Sequence, residues 1–334
     1  MSITKQSVVN SILTESTQPG TAAEVFAPSN IALCKYWGKR EAELNLPING
    51  SLSISLGELG SRTSIVESDS GSDQVYLNDN LIDPTDRFAT KVISFLNLFR
   101  RDLHQPVVIK TVNNIPTAAG LASSASGFAA LMLAINDFYR FGLGNEVLSA
   151  FARMGSGSAS RSVYQGFVEW QKGLREDGMD SCAQRLDLEW QGFRIGLLKV
   201  ATGAKKVDSR AGMQRTVESA PLYQAWPEQA AKDLQTIKRA IEDKDIELLG
   251  QTAEQNALSM HATMIGSWPP LLYWQPESVA AMHRVWELRA LGVPVYLTMD
   301  AGPNLKLLFT AEYEAQVRDA FPELTDLDLV APFG

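Results

Sequence analysis

The chain has 334 residues, enough for one large or two ordinary domains, and its 45% hydrophobic and 20% charged content is that of a soluble globular protein with a full core. A formal charge of −8 excludes a general nucleic-acid binder or a protein held on anionic membranes, both of which need a basic face, yet leaves room for an anionic ligand where basic residues cluster. Cys34 and Cys182 supply neither a disulfide framework nor zinc-site spacing and suit a reducing cytoplasm. Residues 1–20 lack the apolar core of a signal peptide and read as a disordered leader, and no run approaches the ~20 residues of a membrane span.

Residues 24–33 read as a strand interrupted at Ala27-Pro28-Ser29-Asn30, which sets polar Ser29 and Asn30 at a bend. Lys35-Tyr36-Trp37-Gly38-Lys39-Arg40 then packs three cations and two large aromatics into six residues. Such a set can grip a polyanion behind aromatic walls, or form a solvated basic turn. After turn chemistry at 46–50, residues 51–56 alternate serine with Leu and Ile as a half-buried strand does, and 62–67 and 74–77 follow as separate strands. Residues 86–101 carry Phe88, Val92, Phe95, Leu96 and Phe99 at helical spacing, with Arg87 on the opening turn.

A strand over 107–112 runs into Pro116-Thr117-Ala118-Ala119-Gly120-Leu121-Ala122-Ser123-Ser124-Ala125-Ser126-Gly127, behind which Phe128, Leu131, Met132, Ile135 and Phe138 repeat at helical intervals. Small residues in the first turn of a helix leave its amides uncovered, and these form an anion site at the positive end of the dipole. The same composition also suits close helix packing. With no Gly-Lys-Ser/Thr ending and no G-x-G-x-x-G, neutralising charge has to come from a metal and from distant basic residues. A helix over 146–154 leads into Gly155-Ser156-Gly157-Ser158-Ala159-Ser160-Arg161-Ser162, whose amides, hydroxyls and guanidinium are the donors a carboxylate or phosphate needs.

Beyond Gly192 the pattern changes: a strand over 193–201, Lys205-Lys206, then helices over 227–243, 245–264 and 277–291, with Pro269-Pro270 separating the last two. A short strand over 294–299 stops at Asp300-Ala301-Gly302-Pro303-Asn304 and another resumes over 305–310. A carboxylate where a strand gives way to a Gly-Pro turn can project into a cleft, or simply close an Asx turn.

Pro28-Ser29-Asn30-Ile31-Ala32 with residues 35–40, residues 116–126, residues 155–162 and Met299-Asp300-Ala301-Gly302-Pro303-Asn304 together resemble the diphosphomevalonate decarboxylases of the galactokinase, homoserine kinase, mevalonate kinase and phosphomevalonate kinase (GHMP) superfamily, from about Val25 to the end. The resemblance implies a two-domain α+β, GHMP-kinase-like fold: a strand-rich, ATP-binding N-terminal domain of ribosomal-protein type over 21–195 and a ferredoxin-like C-terminal domain over 196–334. It implies that ATP and Mg2+ serve the conversion of 5-diphosphomevalonate to isopentenyl diphosphate, ADP, phosphate and carbon dioxide through 3-hydroxyl phosphorylation. A cytoplasmic homodimer without nucleic-acid or membrane partners belongs to the same expectation.

Carried across residue by residue, Asp300 matches the catalytic aspartate, Arg161 holds the substrate carboxylate, and Lys35 or Lys39 offsets charge on the transferring phosphoryl group. Tyr36, Trp37, Gly38 and Lys39 meet the diphosphate, while Ser156, Gly157, Ser158, Ala159, Ser160 and Arg161 hold the substrate. Arg87, Met213, Thr216 and one of Lys205 and Lys206 add substrate contacts. Pro116, Ala119, Gly120, Leu121, Ala122, Ser123 and Ser124 take the ATP phosphates, with Ser124 on the magnesium. Cys34, Gly57 and Ile48-Asn49-Gly50 depart from the family's usual residues, which places substrate choice at the cleft wall. A mevalonate 3-kinase, a monophosphate decarboxylase and a non-catalytic ligand-binding homologue are the alternatives.

Overall fold

Where composition predicts a disordered leader, the chain forms a helix, α1 (Lys5–Ile12), in the computed structural model, which describes residues 3–14, 20, 24–100, 105–115, 123–200 and 207–334. Thr4 and Ser7 close a capping box at its start, and Val8, Val9 and the following Leu13 are buried in the N-terminal core. Eight residues cannot hold a helix in water by themselves. Docking holds this one, at roughly 1.5–3 kcal/mol for each large apolar side chain buried.

The N-terminal half continues through β1 (Val25–Cys34), β2 (Lys39–Glu41), β3 (Leu46–Pro47), β4 (Ser51–Glu67), β5 (Gln74–Leu77), β6 (Asn80–Leu81), α2 (Arg87–Leu96), β7 (Val107–Asn113), α3 (Ser124–Phe138), α4 (Asn145–Gly155), β8 (Phe167–Trp170) and β9 (Ala183–Arg185). The strands expected over 51–56 and 62–67 are one. β4 is the spine of a sheet ordered β6-β5-β7-β4-β8-β9, with β1 also on β4; its early residues pair with β8 and its late ones with β7. β1 follows it antiparallel through a register shift, Pro28 facing Gly60 and Asn30 facing Ser55, so several β4 residues bulge outward. Gly57 lies in that bulge at φ 56°, a conformation a β-carbon disfavours. The expected break at 27–30 is therefore a bulge, and Ser29 and Asn30 stay on a continuous strand. One face of the sheet is covered by α2, α3 and α4, with Ile65, Phe95, Ile109, Ile135 and Phe151 in the shared core.

The C-terminal half comprises β10 (Phe193–Leu198), α5 (Ser209–Ser219), α6 (Trp226–Asp243), α7 (Ile246–Ile265), α8 (Pro276–Ala290), β11 (Tyr296–Met299), β12 (Leu305–Thr310), α9 (Glu314–Ala320) and β13 (Leu329–Val330). Its antiparallel sheet runs β11-β12-β10-β13. A division at 195/196 would cut β10, which pairs with β12 from Phe193 onward, so the C-terminal sheet begins before the expected boundary. The sequence hides this because Phe193 and Ile195 join a core common to both halves. In it Ile31, Leu33, Leu52 and Ile54 of β1 and β4 pack against Leu234, Ile237 and Leu249 of α6 and α7.

Candidate active site

The two halves enclose a cavity of about 750 Å³. Its wall holds seven basic residues, Lys5, Lys35, Lys39, Arg87, Lys91, Arg161 and Arg210, against two acidic ones, Asp208 and Asp300. A protein of net charge −8 thus concentrates positive potential in one cleft, as a polyanionic ligand requires.

Asp300 follows β11, and a turn in which the Gly302 N–H donates to the Asp300 carbonyl at 2.7 Å fixes its backbone. Its carboxylate lies between two ammonium groups: Lys35 donates to Oδ1 at 2.9 Å and Lys306 to Oδ2 at 3.2 Å. Burial alone would raise the Asp300 pKa; the charges and hydrogen bonds of Lys35 and Lys306 overcome it and hold the carboxyl far below the usual carboxylate range. Burial lowers the Lys35 pKa in turn, with Asp300 opposing. Lys35 is itself anchored, donating from Nζ to the Ala32 carbonyl at 2.8 Å, while Asn256 and Asn49 hold its backbone N–H and C=O. His261 faces the Asp300 carbonyl at 3.1 Å, and burial pushes its pKa down to about 4, so it is neutral at physiological pH.

Arg161 sits on a 3-10 helix (Gly157–Val163) where the sequence suggests an open loop. It donates to Ser51 Oγ at 2.6 Å and to Asn30 Oδ1 at 3.3 and 3.4 Å, and lies 5.8 Å over the Trp170 ring. Burial lowers its pKa to about 10, partly offset by Asp300, which leaves the guanidinium charged at neutral pH. Ser156, Gly157 and Ser158 line the cavity beside it. A β-carbon on Gly157 would fall 2.8 Å from the Tyr36 ring and hydroxyl, so glycine is what lets the two segments meet. The Tyr36 hydroxyl is enclosed with no hydrogen-bond partner among the described residues. Such an orphan costs about 1–3 kcal/mol, which a ligand acceptor would recover.

Of the proposed nucleotide loop, Pro116, Ala119, Gly120, Leu121 and Ala122 lie outside the described residues. Ser123 and Ser124 open α3 without a side-chain cap, and among the described residues Ser124 Oγ has only a 3.4 Å contact from the Ser156 hydroxyl. Ser126 is turned away, bonded to Ser29 and Ser61. Among the described residues no group of three or more His, Cys, Asp and Glu could hold a metal. A divalent cation here would draw ligands from phosphate oxygens and water, and the uncommitted Ser124 hydroxyl fits one further position.

Several residues fall elsewhere than the resemblance implies. Thr216 is fully buried and donates to the Gly212 carbonyl of its own helix; it is not in the wall. Ala159 and Ser160 are buried and Gly38 is covered by the Tyr223 hydroxyl, and none of the three lines the cavity. Trp37 touches the cavity but is mainly an anchor. It packs with Trp226, Met260 and Leu271, and its carbonyl accepts from Tyr223 and Trp226. Arg87 and Met213 do line it, Arg87 being 74% exposed and paired to Asp208 at 3.3 Å. Lys205 and Lys206 lie outside the described residues. Cys34, Gly57 and Asn49 leave the cavity wall untouched: Cys34 is in the core between the halves, Gly57 faces open space and Asn49 supports Lys35. Sequence reasoning missed Lys306, Arg210, Lys5 and Lys91. A lysine inside the apolar run Leu305-Lys306-Leu307-Leu308 is the signal for the first; nothing marks Arg210 before the fold brings it to the cleft.

An α+β molecule in two halves, with a cation-lined cleft, an uncapped helix start and a lysine-clamped carboxylate, belongs to the phosphoryl-transfer class of small-molecule proteins. Two family models match it, the diphosphomevalonate decarboxylase-like N-terminal domain over 27–183 and the mevalonate 5-diphosphate decarboxylase C-terminal domain over 197–328. The chain is 39% identical over 316 residues to diphosphomevalonate decarboxylase mvd1 of Aspergillus fumigatus, covering 88% of this chain and 78% of that one. Among solved structures it matches mevalonate diphosphate decarboxylase from Staphylococcus aureus at TM-score 0.86 and 37% identity, over 93% of this chain and 94% of that one. The protein designated MDDEF, in complex with MVAPP, AMPPCP and magnesium, matches at TM-score 0.86 and 40% identity, over 93% and 95%. The chain belongs to the diphosphomevalonate decarboxylase family.

Proposed function

We propose that the protein carries out the ATP-dependent decarboxylation of (R)-5-diphosphomevalonate to isopentenyl diphosphate, with ADP, phosphate and carbon dioxide as the other products. The observation that carries the mechanism is the Asp300 carboxylate clamped between Lys35 and Lys306 in a cleft that also presents Arg161. ATP with magnesium, the counterparts of the AMPPCP and magnesium in the MDDEF complex, supplies the phosphoryl group that makes a tertiary hydroxyl a leaving group. Ser123 and Ser124 bind its phosphates at the start of α3, and Ser124 offers the metal a ligand.

Asp300, ionised at neutral pH, accepts a hydrogen bond from the 3-hydroxyl and orients its oxygen for attack. As the O–P bond forms, the hydroxyl proton passes to the Asp300 carboxylate, which the charges of Lys35 and Lys306 keep a weak proton holder, and on to solvent. Lys35 offsets negative charge developing on the transferring group. Once the hydroxyl is phosphorylated, the C–O bond breaks to release phosphate. The electron pair of the C–CO2 bond becomes the new double bond as carbon dioxide leaves. Arg161 holds that carboxylate in line until then, and Tyr36 and Lys39 hold the diphosphate end.

The test is to count ADP and carbon dioxide in one tube with 5-diphosphomevalonate. Equal yields are expected. ADP without carbon dioxide would make the chain a 3-kinase, and activity only on the monophosphate would make it a monophosphate decarboxylase. The reading extends to a cytoplasmic homodimer; both cysteines are free and buried, which suits a reducing compartment, and sedimentation measures the assembly. No helix among the described residues is long and apolar enough to cross a membrane.

A further inference from the structure

The match to the family begins at residue 27, yet the cavity wall includes Lys5, on a helix that precedes it. α1 is held there by contacts independent of any ligand. Val8, Val9 and Leu13 are buried in the N-terminal core, and Gln6 Nε2 donates at 2.9 Å to the carbonyl of Leu98, which also lines the cavity. Its register sets Lys5, the first residue of the helix, at the cavity mouth with Lys39 and Arg210.

Among the described residues no carboxylate is in direct ion-pair contact with any of these three cations. Glu41, Glu43 and Asp208 are the acidic groups nearby; the Glu41 carboxylate is engaged by the backbone N–H groups of Glu43 and Leu44 at 2.7 and 2.5 Å, and Asp208 is paired with Arg87 at the same mouth. Burial lowers the Lys5 pKa, Glu43 opposes that, and Arg210 reinforces it; Lys39 is pushed down to about 8 by burial, then by Arg210 and Lys5. The positive charges of Lys5 and Lys39 are therefore disfavoured by burial and by neighbouring cations. A polyanion seated among them would relieve the repulsion.

We propose that α1 is part of the substrate site, with Lys5 joining Lys39 and Arg210 on the diphosphate of the substrate. This rests on the function proposed above and adds to it a specificity element that the family match does not cover. Lys5 discriminates by charge: a diphosphate presents a second phosphoryl group to this mouth, and a monophosphate does not. Its contact is to the substrate and not to the reacting hydroxyl, so it governs binding and leaves the chemical step alone.

The experiment is titration calorimetry of the full-length protein and its Lys5→Ala and Lys5→Arg variants with 5-diphosphomevalonate, 5-phosphomevalonate and inorganic pyrophosphate, alongside steady-state kinetics. Lys5→Ala should weaken the diphosphate by about 10-fold, the size of one charge-assisted hydrogen bond, and the monophosphate by less. Its KM for the diphosphate should rise with kcat and the KM for ATP unchanged. Lys5→Arg should restore most of the affinity, and Lys5→Ala should flatten the dependence of Kd on salt. Unchanged affinity for 5-diphosphomevalonate and pyrophosphate in Lys5→Ala would overturn the proposal. A loss confined to ATP would overturn it equally, by moving α1 to the nucleotide. Wild-type turnover is scored separately: its absence counts against the proposed function, while pyrophosphate affinity still decides the role of Lys5.

Discussion

Replacing Asp300 by asparagine removes the one negative charge that holds two buried ammonium groups, at 2.9 Å for Lys35 and 3.2 Å for Lys306. The amide has one oxygen where the carboxylate has two, so one lysine loses its acceptor; the Ala32 carbonyl can serve only Lys35. The side chains of both lysines are 2% exposed and that of Asp300 is 39% exposed. Breaking a fully buried pair costs about 3–5 kcal/mol, and solvent access at Asp300 lowers the expected loss of stability to roughly 2 kcal/mol. The kinetic loss is larger, because a group placed on the attacking hydroxyl contributes about 10²–10⁴ in rate. Asp300→Asn should therefore retain about 1% or less of the wild-type kcat, with ATP affinity intact. Release of ADP and carbon dioxide measures the first, a nucleotide titration the second and thermal melting the stability. Adding Lys306→Met removes an orphaned cation, so the double variant should recover part of the stability and none of the rate. A single variant that kept a tenth of the wild-type rate and melted normally would make Asp300 a turn former and refute the mechanism.

Arg161→Lys should lower kcat/KM about 100-fold, since a point charge on a flexible stem cannot meet Ser51, Asn30 and a carboxylate together; unaltered kinetics would reduce Arg161 to packing on Trp170. Ser124→Ala should raise the KM for magnesium-ATP about 10-fold and leave the KM for the mevalonate substrate alone, and the opposite pattern would give the start of α3 to the wrong ligand. Burial, then Arg210 and Lys5, push the Lys39 pKa from 10.5 down to about 8, so Lys39 loses its charge as pH rises through that value. Its depressed value opposes folding below about pH 8, an effect relieved at higher pH, whereas substrate capture runs the other way. The kcat/KM for 5-diphosphomevalonate should fall above about pH 8, and Lys39→Arg should move that limb upward; a profile that does not shift would remove Lys39 from the diphosphate.

Much of the site was legible because its residues sit in contiguous runs whose local geometry carries the chemistry. The strand entering the small-residue loop, the uncapped start of α3, the Arg161 segment and the turn at Asp300 can each be read from neighbours within a few positions. Strand 305–310 was placed at its observed limits, and the helices ending in Asp243 and near Ile265 came within a residue or two, because their apolar periodicity is strong. The two strands over 51–56 and 62–67 were not seen as one, since Gly57 and the residues around it interrupt the alternation while β1 carries the sheet past the bulge.

The amino-acid sequence by itself determined which residues could bind phosphate, carry charge or end a helix, because those properties are fixed within a turn or two of chain. Only the tertiary structure decided which of them face one another. Lys306 is a lysine in an apolar strand until β12 packs beside β11 and sets its ammonium 3.2 Å from Asp300. Thr216 looked like a substrate contact, but its position on α5 turns the hydroxyl back onto Gly212. α1 is too short and too polar to stand alone, and its helix, with Lys5 at the cavity mouth, exists because a distant core accepts Val8 and Val9. The pairing of β11 with β12, the packing of α5 and the docking of α1 into the N-terminal core each supply energy that appears only once those elements are assembled, and no local propensity contains it.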